Sequence, residues 1–247
     1  FEHALEQRLP AAKVFSLGPM FRYERPQKGR YRQFHQLDVE AFGEAAASLD
    51  AEMIEMASSL VSSLGIESRD IVINSVGCES CRPRFNQALL DALGNKLDQL
   101  CPDCQRRAKT NPLRIYDCKV VSDQSIIDGL PHSVDHLCAD CNNHFYEVRT
   151  YLDAYELDYR VSHRLVRGLD YYMRTTFEVL GEQLGAQNAL LGGGRYDGLV
   201  RQLGGPSREG IGFAAGLERL VLAMPEEVAG CGADVFIVAL GENTKKQ

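Results

Sequence analysis

A cluster of basic side chains in one short segment is the first chemical signal in this 247-residue chain. Between residues 21 and 33 there are five basic side chains and one acidic one, a local charge of +4 in a chain of net charge −7. They are Arg22, Arg25, Lys28, Arg30 and Arg32, with Glu24 as the acid. Arginine presents a rigid fork of donors that matches phosphate oxygens. The segment fits a nucleoside triphosphate or a nucleic-acid end, although a solvated surface loop would have the same composition.

Two further arginines lie among apolar residues, where a guanidinium needs an anionic partner to offset its desolvation. Arg167 lies in the segment 165–172, and Arg219 lies between Leu217 and Leu220. An ordinary loop position for Arg167 and the polar side of a helix for Arg219 are the alternatives. The three glycines at 192–194 indicate a turn, which is commoner for such a run than a phosphate cradle.

Seven of the eight cysteines fall between residues 77 and 155, a pattern typical of a metal site in a reducing compartment. They are Cys78, Cys81, Cys101, Cys104, Cys118, Cys138 and Cys141. The first two C-x-x-C pairs, 19 residues apart, fit a four-thiolate zinc site, but the spacing does not choose among the pairs. Small buried thiols in a helical module are the alternative. We expect Cys231 to be unrelated.

Hydrophobic periodicity predicts the elements that position these groups. Residues 21–24 and 33–42 alternate between apolar and polar side chains, which predicts an antiparallel hairpin with the basic segment as its loop. The second strand has one apolar face. Its other face is polar, which suits either the lining of a binding site or a solvated surface; it carries Phe34, Gln36, Asp38 and Glu40.

The rest of the chain reads as strands and helices around a cysteine-rich module. A helix is predicted over about 49–64, capped by Asp50 and ended by Gly65. Residues 77–155 have helical patterns. The other predicted elements are strands at 71–74, 159–161, 175–179 and 234–240, and a strand followed by a helix over 210–224.

Composition excludes several classes of protein. Hydrophobic residues make up 45% of the chain and charged residues 25%, as in ordinary globular domains. No segment reaches the roughly 20 apolar residues of a membrane span. The first residues lack the pattern of a secretion signal. We expect a cytoplasmic protein that does not associate with membranes.

Four segments, in order, resemble the motifs of the histidyl-tRNA synthetases, a family of class II aminoacyl-tRNA synthetases. Residues 21–36 with Glu40 resemble motif 2, and residues 210–224 resemble motif 3. Residues 165–172 and 193–199 resemble the two histidine signatures of that family. The resemblance covers about residues 10–240. It implies an α+β fold, an antiparallel sheet of six or seven strands with flanking helices, interrupted by a mostly helical insertion.

The resemblance also implies a division into domains. The catalytic core would comprise residues 1–76 and 157–229, with the cysteine-rich insertion at 77–156 and the start of an anticodon-binding domain at 230–247. The motif 1 region and most of the anticodon-binding domain would be missing. We therefore expect a fragment with little or no aminoacylation activity of its own, taken from a protein that is a homodimer when intact.

The implied reaction is the ATP-dependent activation of L-histidine to histidyl-adenylate, followed by transfer to histidine tRNA, with Mg²⁺ on the pyrophosphate oxygens. The catalytic cations would be Arg22, Arg167 and Arg219. The ATP site would be formed by Arg22, Glu24, Arg30, Phe34 and Arg219. The histidine pocket would be formed by Gln36, Glu40, Arg167, Tyr171, Tyr172 and Tyr196. The acceptor end of the tRNA would be contacted by Arg25, Gln27, Lys28 and Arg32.

Two other classes compete with this interpretation. The regulatory subunit of ATP phosphoribosyltransferase is a non-catalytic paralogue that keeps the fold and binds histidine. It should have lost the residues that handle ATP, whereas here those residues and the basic loop are all present. A separate zinc or nucleic-acid binding module would account for the cysteines but not for the two histidine signatures.

Overall fold

The computed structural model describes residues 11–23, 30–67, 69–166, 171–181 and 188–225. Its strands are β1 (Ala12–Phe21), β2 (Gln33–Phe42), β3 (Arg69–Ser75), β4 (Tyr159–Val161), β5 (Met173–Gly181), β6 (Ala189–Arg195) and β7 (Gly210–Gly216). Its helices are α1 (Ala47–Ser63), α2 (Arg82–Leu93), α3 (Pro102–Thr110), α4 (Gln124–Asp128), α5 (Ala139–Ala154), α6 (Leu199–Gln202) and α7 (Leu217–Ala223). Short 3-10 turns at Gly94–Gln99, Pro112–Asp117, Val121–Asp123 and Ser133–His136 connect the helices between α2 and α5.

The strands form one seven-stranded sheet in the order β1-β2-β7-β6-β5-β3-β4. Every neighbouring pair is antiparallel except β3 and β4, which run parallel. Helices α1 and α5 pack against each other and against the sheet. The antiparallel sheet with flanking helices that the resemblance implied is therefore confirmed.

The main core lies between this sheet and the two long helices. Ile54 and Val61 of α1, Val148 and Leu152 of α5, and Phe177 of β5 are fully buried in it. Burying a side chain of this size stabilises a fold by about 1.5–3 kcal/mol. The helical stretch between α2 and α5 has a second cluster of its own, which includes Phe85, Leu89, Ile115 and Ile127.

Most strands agree with the sequence analysis. Strand β2 has the predicted bounds, and the predicted strands at 71–74, 159–161 and 175–179 lie within β3, β4 and β5. The segment 210–224 divides into β7 and α7 as expected. The strand expected at 234–240 lies outside the described residues.

The first strand was placed wrongly. The periodicity favoured residues 21–24, whereas β1 is the edge strand Ala12–Phe21. It pairs with β2 alone in the described sheet, and side chains on both of its faces are exposed, including Val14, Phe15 and Leu17. A strand without a buried face has no alternation to detect.

The three glycines at 192–194 form part of strand β6 and not a turn. A Cβ at Gly193 would overlap the carbonyl oxygen of Gly212, and one at Gly194 would lie 2.6 Å from the carbonyl oxygen of Thr175. Glycine is needed here because neighbouring strands approach too closely for any side chain.

Asp50 does not cap α1, which begins three residues earlier, at Ala47. The Asp50 carboxylate is fully buried and pairs with Arg195, whose Nε donates to Oδ1 at 2.9 Å. Nε2 of His144 lies 2.7 Å from the other carboxylate oxygen. Burial alone would raise the pKa of Asp50, but the hydrogen bond with His144 and the charge of Arg195 hold it below its usual value. Arg195 is itself fully buried, so the pair joins α1 to the end of β6.

No helix in the described part of the chain is long and apolar enough to cross a membrane.

Replacing Asp50 with Asn should destabilise the fold by about 3–5 kcal/mol, because Arg195 would remain buried without its counter-ion. Urea denaturation at neutral pH measures the loss. Glu52→Gln is the matched control on the same helix, because Glu52 pairs with Lys13 at the exposed surface. That variant should lose no more than about 1 kcal/mol. Equal losses in the two variants would contradict the role given to the buried pair.

Candidate active site

A cavity of about 860 Å³ lies over the polar face of β2. Leu37, Val39 and Ala41 of this strand pack against or within the main core, while Gln36, Asp38 and Glu40 line the cavity. The alternation predicted for β2 is confirmed. The polar face lines a cavity, which favours the binding-site interpretation over a fully solvated face.

Glycines in β7 make room for the cavity's polar side chains. Gly212 lies opposite Glu40 in the sheet, and a Cβ there would overlap the Glu40 carboxylate. A Cβ at Gly210 would overlap the ring of Tyr196. Sequence analysis gave these glycines no role in the site, although their spacing of two residues along a predicted strand was the available signal.

Glu40 and Tyr196 form the polar centre of the cavity. The Tyr196 hydroxyl donates a hydrogen bond to Oε2 of Glu40. Burial raises the pKa of Glu40 to about 7, against the opposing effect of this hydrogen bond. Burial and the negative charge of Glu40 raise the pKa of Tyr196, so its hydroxyl stays protonated. The pair can present one carboxylate oxygen to an N–H donor at neutral pH.

Aromatic rings form one wall of the cavity. The rings of Tyr171 and Tyr172 lie 4.7 Å apart, and Tyr171 meets the Tyr196 ring edge to face at 6.0 Å. These contacts bring the three tyrosines of the predicted histidine pocket together with Gln36 and Glu40. A flat, partly polar ligand of amino-acid size fits such a wall.

A second cavity of about 250 Å³ adjoins the first, because Gln36 and Ala214 line both. The second cavity is lined by three arginines, namely Arg22 and Arg30 at the hairpin and Arg219 in α7. Burial lowers the pKa of Arg219, and the charges of the other two arginines act in the same direction. Three guanidinium groups that repel one another across one cavity favour an anionic occupant.

Hydrogen bonds hold two of these arginines, Arg219 and Arg22, in place. Nη1 of Arg219 donates to the carbonyl oxygen of Ala189 at 2.6 Å. Nε of Arg22 donates to the carbonyl oxygen of Tyr31 at 2.8 Å, and its guanidinium lies 4.1 Å from the ring centroid of Phe34. The aromatic ring expected to stack on adenine therefore already contacts a cation.

Glu218 is a residue that the sequence analysis missed. It lines the arginine cavity, and its Oε1 accepts the backbone N–H of His35 at 2.8 Å. The same oxygen lies 3.1 Å from Nδ1 of the His35 ring. The contact ties α7 to β2 beside Arg219. Its position next to Arg219 in motif 3 was the only signal.

Five of the predicted site residues lie outside the described residues. They are Glu24, Arg25, Gln27, Lys28 and Arg167. Arg32 is described, and it is exposed at the start of the second hairpin strand.

The cysteines of the described residues form two groups, a choice that spacing along the chain left open. Cys78 and Cys81 meet the third C-x-x-C pair and not the second. The first group is Cys78, Cys81, Cys138 and Cys141, and the second is Cys101, Cys104, Cys118 and Asp123. Within each group the candidate ligand atoms all lie within 4.8 Å of one another, so each could hold a metal ion. Asp123 has no place in a C-x-x-C pattern, so sequence analysis missed it.

Comparison with known proteins agrees with this architecture. Residues 2–227 match the family model of the tRNA synthetase class II core domain (G, H, P, S and T). The chain belongs to this family. The match takes in both halves of the sheet and the helical stretch between them.

Relatives within this class II family are named histidine–tRNA ligases. The protein from Syntrophotalea carbinolica is 51% identical over 98% of this chain, and that from Geobacter sulfurreducens is 48% identical over all of it. A solved structure of apo S. aureus histidyl-tRNA synthetase matches 95% of this chain at 37% identity, with a TM-score of 0.68. This chain spans 58%, 60% and 57% of the three proteins in turn.

Replacing Glu40 with Gln should stabilise the fold at alkaline pH. A carboxyl whose pKa is raised to about 7 on folding binds its proton more tightly in the folded state, so its contribution to stability falls as pH rises from 4.5 through 7. Glutamine removes that loss and still accepts the Tyr196 hydrogen bond. We expect a gain of about 1–2 kcal/mol at pH 8.5 that shrinks towards pH 5.5. Chemical denaturation across this range measures it, and a gain independent of pH would contradict the burial argument.

Proposed function

We propose that the protein carrying this chain is a histidine–tRNA ligase. It would activate L-histidine with ATP to histidyl-adenylate and transfer the histidyl group to the 3′ end of histidine tRNA. The observation that carries the proposal is the pairing of two adjoining cavities. One has a buried carboxylate and tyrosines, and the other has three arginines. The histidine–tRNA ligase relatives at 46–51% identity support the same reaction.

Recognition of the imidazole ring is the role proposed for the larger cavity. Neutral imidazole offers one N–H donor and one acceptor nitrogen. Glu40 accepts from the donor nitrogen, and the hydroxyl of Tyr172 serves the other. Gln36 and Tyr171 complete the pocket. Glu40 accepts this N–H in its deprotonated form, which a pKa of about 7 leaves available at and above neutral pH.

Handling of ATP is the role proposed for the arginine cavity. The histidine carboxylate attacks the α-phosphorus, the bond to the bridging oxygen breaks, and pyrophosphate leaves. Catalysis here is positioning and charge stabilisation. Arg22 and Arg219 would hold the phosphates, with Arg167 as a third cation on the α-phosphate and the histidine carboxylate. Arg30 and Glu24 would hold the two ends of ATP, and Phe34 would stack on adenine.

Magnesium is part of the same proposal. Glu218 is the only carboxylate among the described residues that line the arginine cavity, and Mg²⁺ takes oxygen ligands of this kind together with phosphate oxygens. The donor set therefore fits a magnesium ion delivered on ATP. Its charge would neutralise the outgoing pyrophosphate.

The arginines favour this reaction over the regulatory alternative. A subunit that only binds histidine needs the carboxylate pocket but has no use for three guanidinium groups in the adjoining cavity. Here Arg22 and Arg30 of the hairpin line one cavity with Arg219 of α7.

Assembly and location complete the proposal. Phe15, Leu17 and Phe21 share one face of the edge strand β1 and are each more than 60% exposed, which supports a homodimer that covers them. We also propose a cytoplasmic location, where ATP and tRNA are found. For the domains we propose a core at 1–76 and 157–229, an insertion at 77–156 and a further domain from 230. A second hydrophobic cluster, formed by residues 85–130 with Val166, supports the insertion, although α5 packs in the main core.

Binding of L-histidine to the chain tests the specificity step. Glu40→Gln should weaken histidine binding at least tenfold and leave ATP binding unchanged, because the carboxylate faces only the imidazole. L-phenylalanine should be rejected by about 10⁴-fold, since it leaves the buried polar groups unpaired. Titration calorimetry measures all three affinities. Glu147→Gln, at an exposed position of α5, is the control and should change none of them.

The competing outcomes are distinct. Histidine affinity unchanged by Glu40→Gln would refute the assignment of the pocket. Histidine binding by the gene product without histidine-dependent exchange of pyrophosphate into ATP would favour the regulatory alternative.

Binding of histidine tRNA should weaken as salt rises, because the hairpin loop and its flanks neutralise phosphates through Arg25, Lys28 and Arg32, with Gln27 reading an unpaired base. Arg32→Gln should reduce the slope of log affinity against log salt by about one. Filter binding at several salt concentrations measures the slope. Arg160→Gln, exposed in β4 at the opposite edge of the sheet, should leave it unchanged. A salt-independent affinity would exclude this tRNA contact.

A further inference from the structure

We propose that the helical insertion binds two zinc ions, one in each of the two cysteine groups. The first site has four thiolate ligands, from Cys78, Cys81, Cys138 and Cys141. The second has three thiolates and one carboxylate, from Cys101, Cys104, Cys118 and Asp123. The proposal concerns a part of the molecule that the proposed reaction does not use.

Sulfur distances match the edges of a zinc tetrahedron. The Cys78 sulfur lies 3.7 Å from that of Cys81 and 3.9 Å from that of Cys138. The sulfurs of Cys101 and Cys118 are 3.8 Å apart. Tetrahedral zinc with Zn–S bonds of about 2.3 Å places its sulfur ligands about 3.8 Å apart. A disulfide would need about 2.05 Å, and all seven described cysteines are free.

The backbone around the first site is shaped for a metal. The N–H of Cys138 donates to the Cys81 sulfur at 3.1 Å, a contact that stabilises a thiolate. Gly77, at φ +68°, begins the loop, and a Cβ there would lie only 2.7 Å from the Cβ of Cys81. Glycine therefore lets the chain turn tightly enough to bring the first thiol pair to the N-terminal end of α5.

The second site contains a buried carboxylate. Asp123 is fully buried, and its oxygens accept the backbone N–H of Cys101 at 3.1 and 3.3 Å and the hydroxyl of Ser122 at 3.2 Å. The Cys118 sulfur lies 3.3 Å from Oδ2. These partners are neutral donors. In the described part of the chain no ion pair to this carboxylate is found, and a metal cation would supply the missing charge.

The two positions explain what the ions would do. The first site joins the segment between β3 and α2 to the start of α5. Its loop lines a small cavity together with Asp197 and Gly198, directly after Tyr196 of the candidate pocket. The second site lies in the insertion's own core, where Cys104 and Cys118 are buried. A small module with a limited apolar core gains much of its folding energy from such ions, whose binding releases the thiol protons to solvent.

Metal analysis of the chain, reconstituted with Zn²⁺ under reducing conditions and passed through a desalting column, tests the proposal. The unmodified chain should hold two zinc ions. Cys81→Ser and Cys104→Ser should each hold one, and the double variant none. Cys231→Ser, which changes the eighth cysteine, is the matched control and should keep two. Asp103→Asn, at an exposed position of α3, is the control for the carboxylate and should also keep two.

A second measurement does not require a ligand to be lost. Asp123→Cys converts the second site to four thiolates, so it should keep two ions and increase the thiolate-to-cobalt absorption of the Co²⁺-substituted chain by about one part in seven. No bound zinc in the unmodified chain, one ion only, or iron in place of zinc would overturn the proposal. So would variants of Cys81 and Cys101 that remove the same ion, since they belong to different groups. An unchanged cobalt spectrum in Asp123→Cys would remove Asp123 from the second site.

Discussion

The buried pair of Asp50 and Arg195 is the interaction on which the rest of the structure depends. Both side chains are fully buried, and together they connect the first helix to the end of a central strand. Nη1 of Arg195 also donates to Asp197 at 3.0 Å, and Asp197 accepts the N–H of Gly210 at 3.2 Å. Tyr196 therefore lies between Arg195 and Asp197, two residues that are joined to each other by this hydrogen bond. Removing either partner would leave the other charge buried without its counter-ion, which is costly.

The candidate site holds opposite charges in two adjoining cavities. Glu40 lies in the larger cavity at a raised pKa, while Arg219 lies in the smaller cavity at a lowered one. Each of these shifts comes first from burial, so each charged form is disfavoured until a ligand of the opposite kind is present. A ligand with a basic ring beside Glu40 would favour the charged carboxylate, and a polyphosphate beside Arg219 would favour the charged guanidinium. The shared lining at Gln36 would bring the two ligands within reach of each other.

Hydrophobic periodicity predicted strands best where the strand has one buried face. Strand β2 was predicted with its bounds and with Glu40 on its polar face, because its apolar residues must enter the core and its polar residues must leave it. The same reasoning failed for β1, an edge strand with two exposed faces. It also failed at Gly193 and Gly194, where close contact between strands and not a turn requires glycine. The prediction for Asp50 also failed. An aspartate near the start of a helix is predicted to be a cap, and the sequence gives no sign that a distant arginine will pair with it.

The amino-acid sequence by itself determined the class of fold, the order of its elements and the residue types of the site, since these follow from local hydrophobic patterns and from long motifs. The family resemblance placed Arg22 and Arg219, nearly 200 residues apart, in one site, and in the structure they line one cavity. For the cysteines only the tertiary structure decided which distant groups meet, because Cys81 joins the cysteines 57 and 60 residues further on and not the nearer pair. Asp123 enters the second group without any motif. The reason is physical: spacing along the chain constrains neighbours within a turn or a strand, whereas contacts between elements depend on how the helices and strands pack.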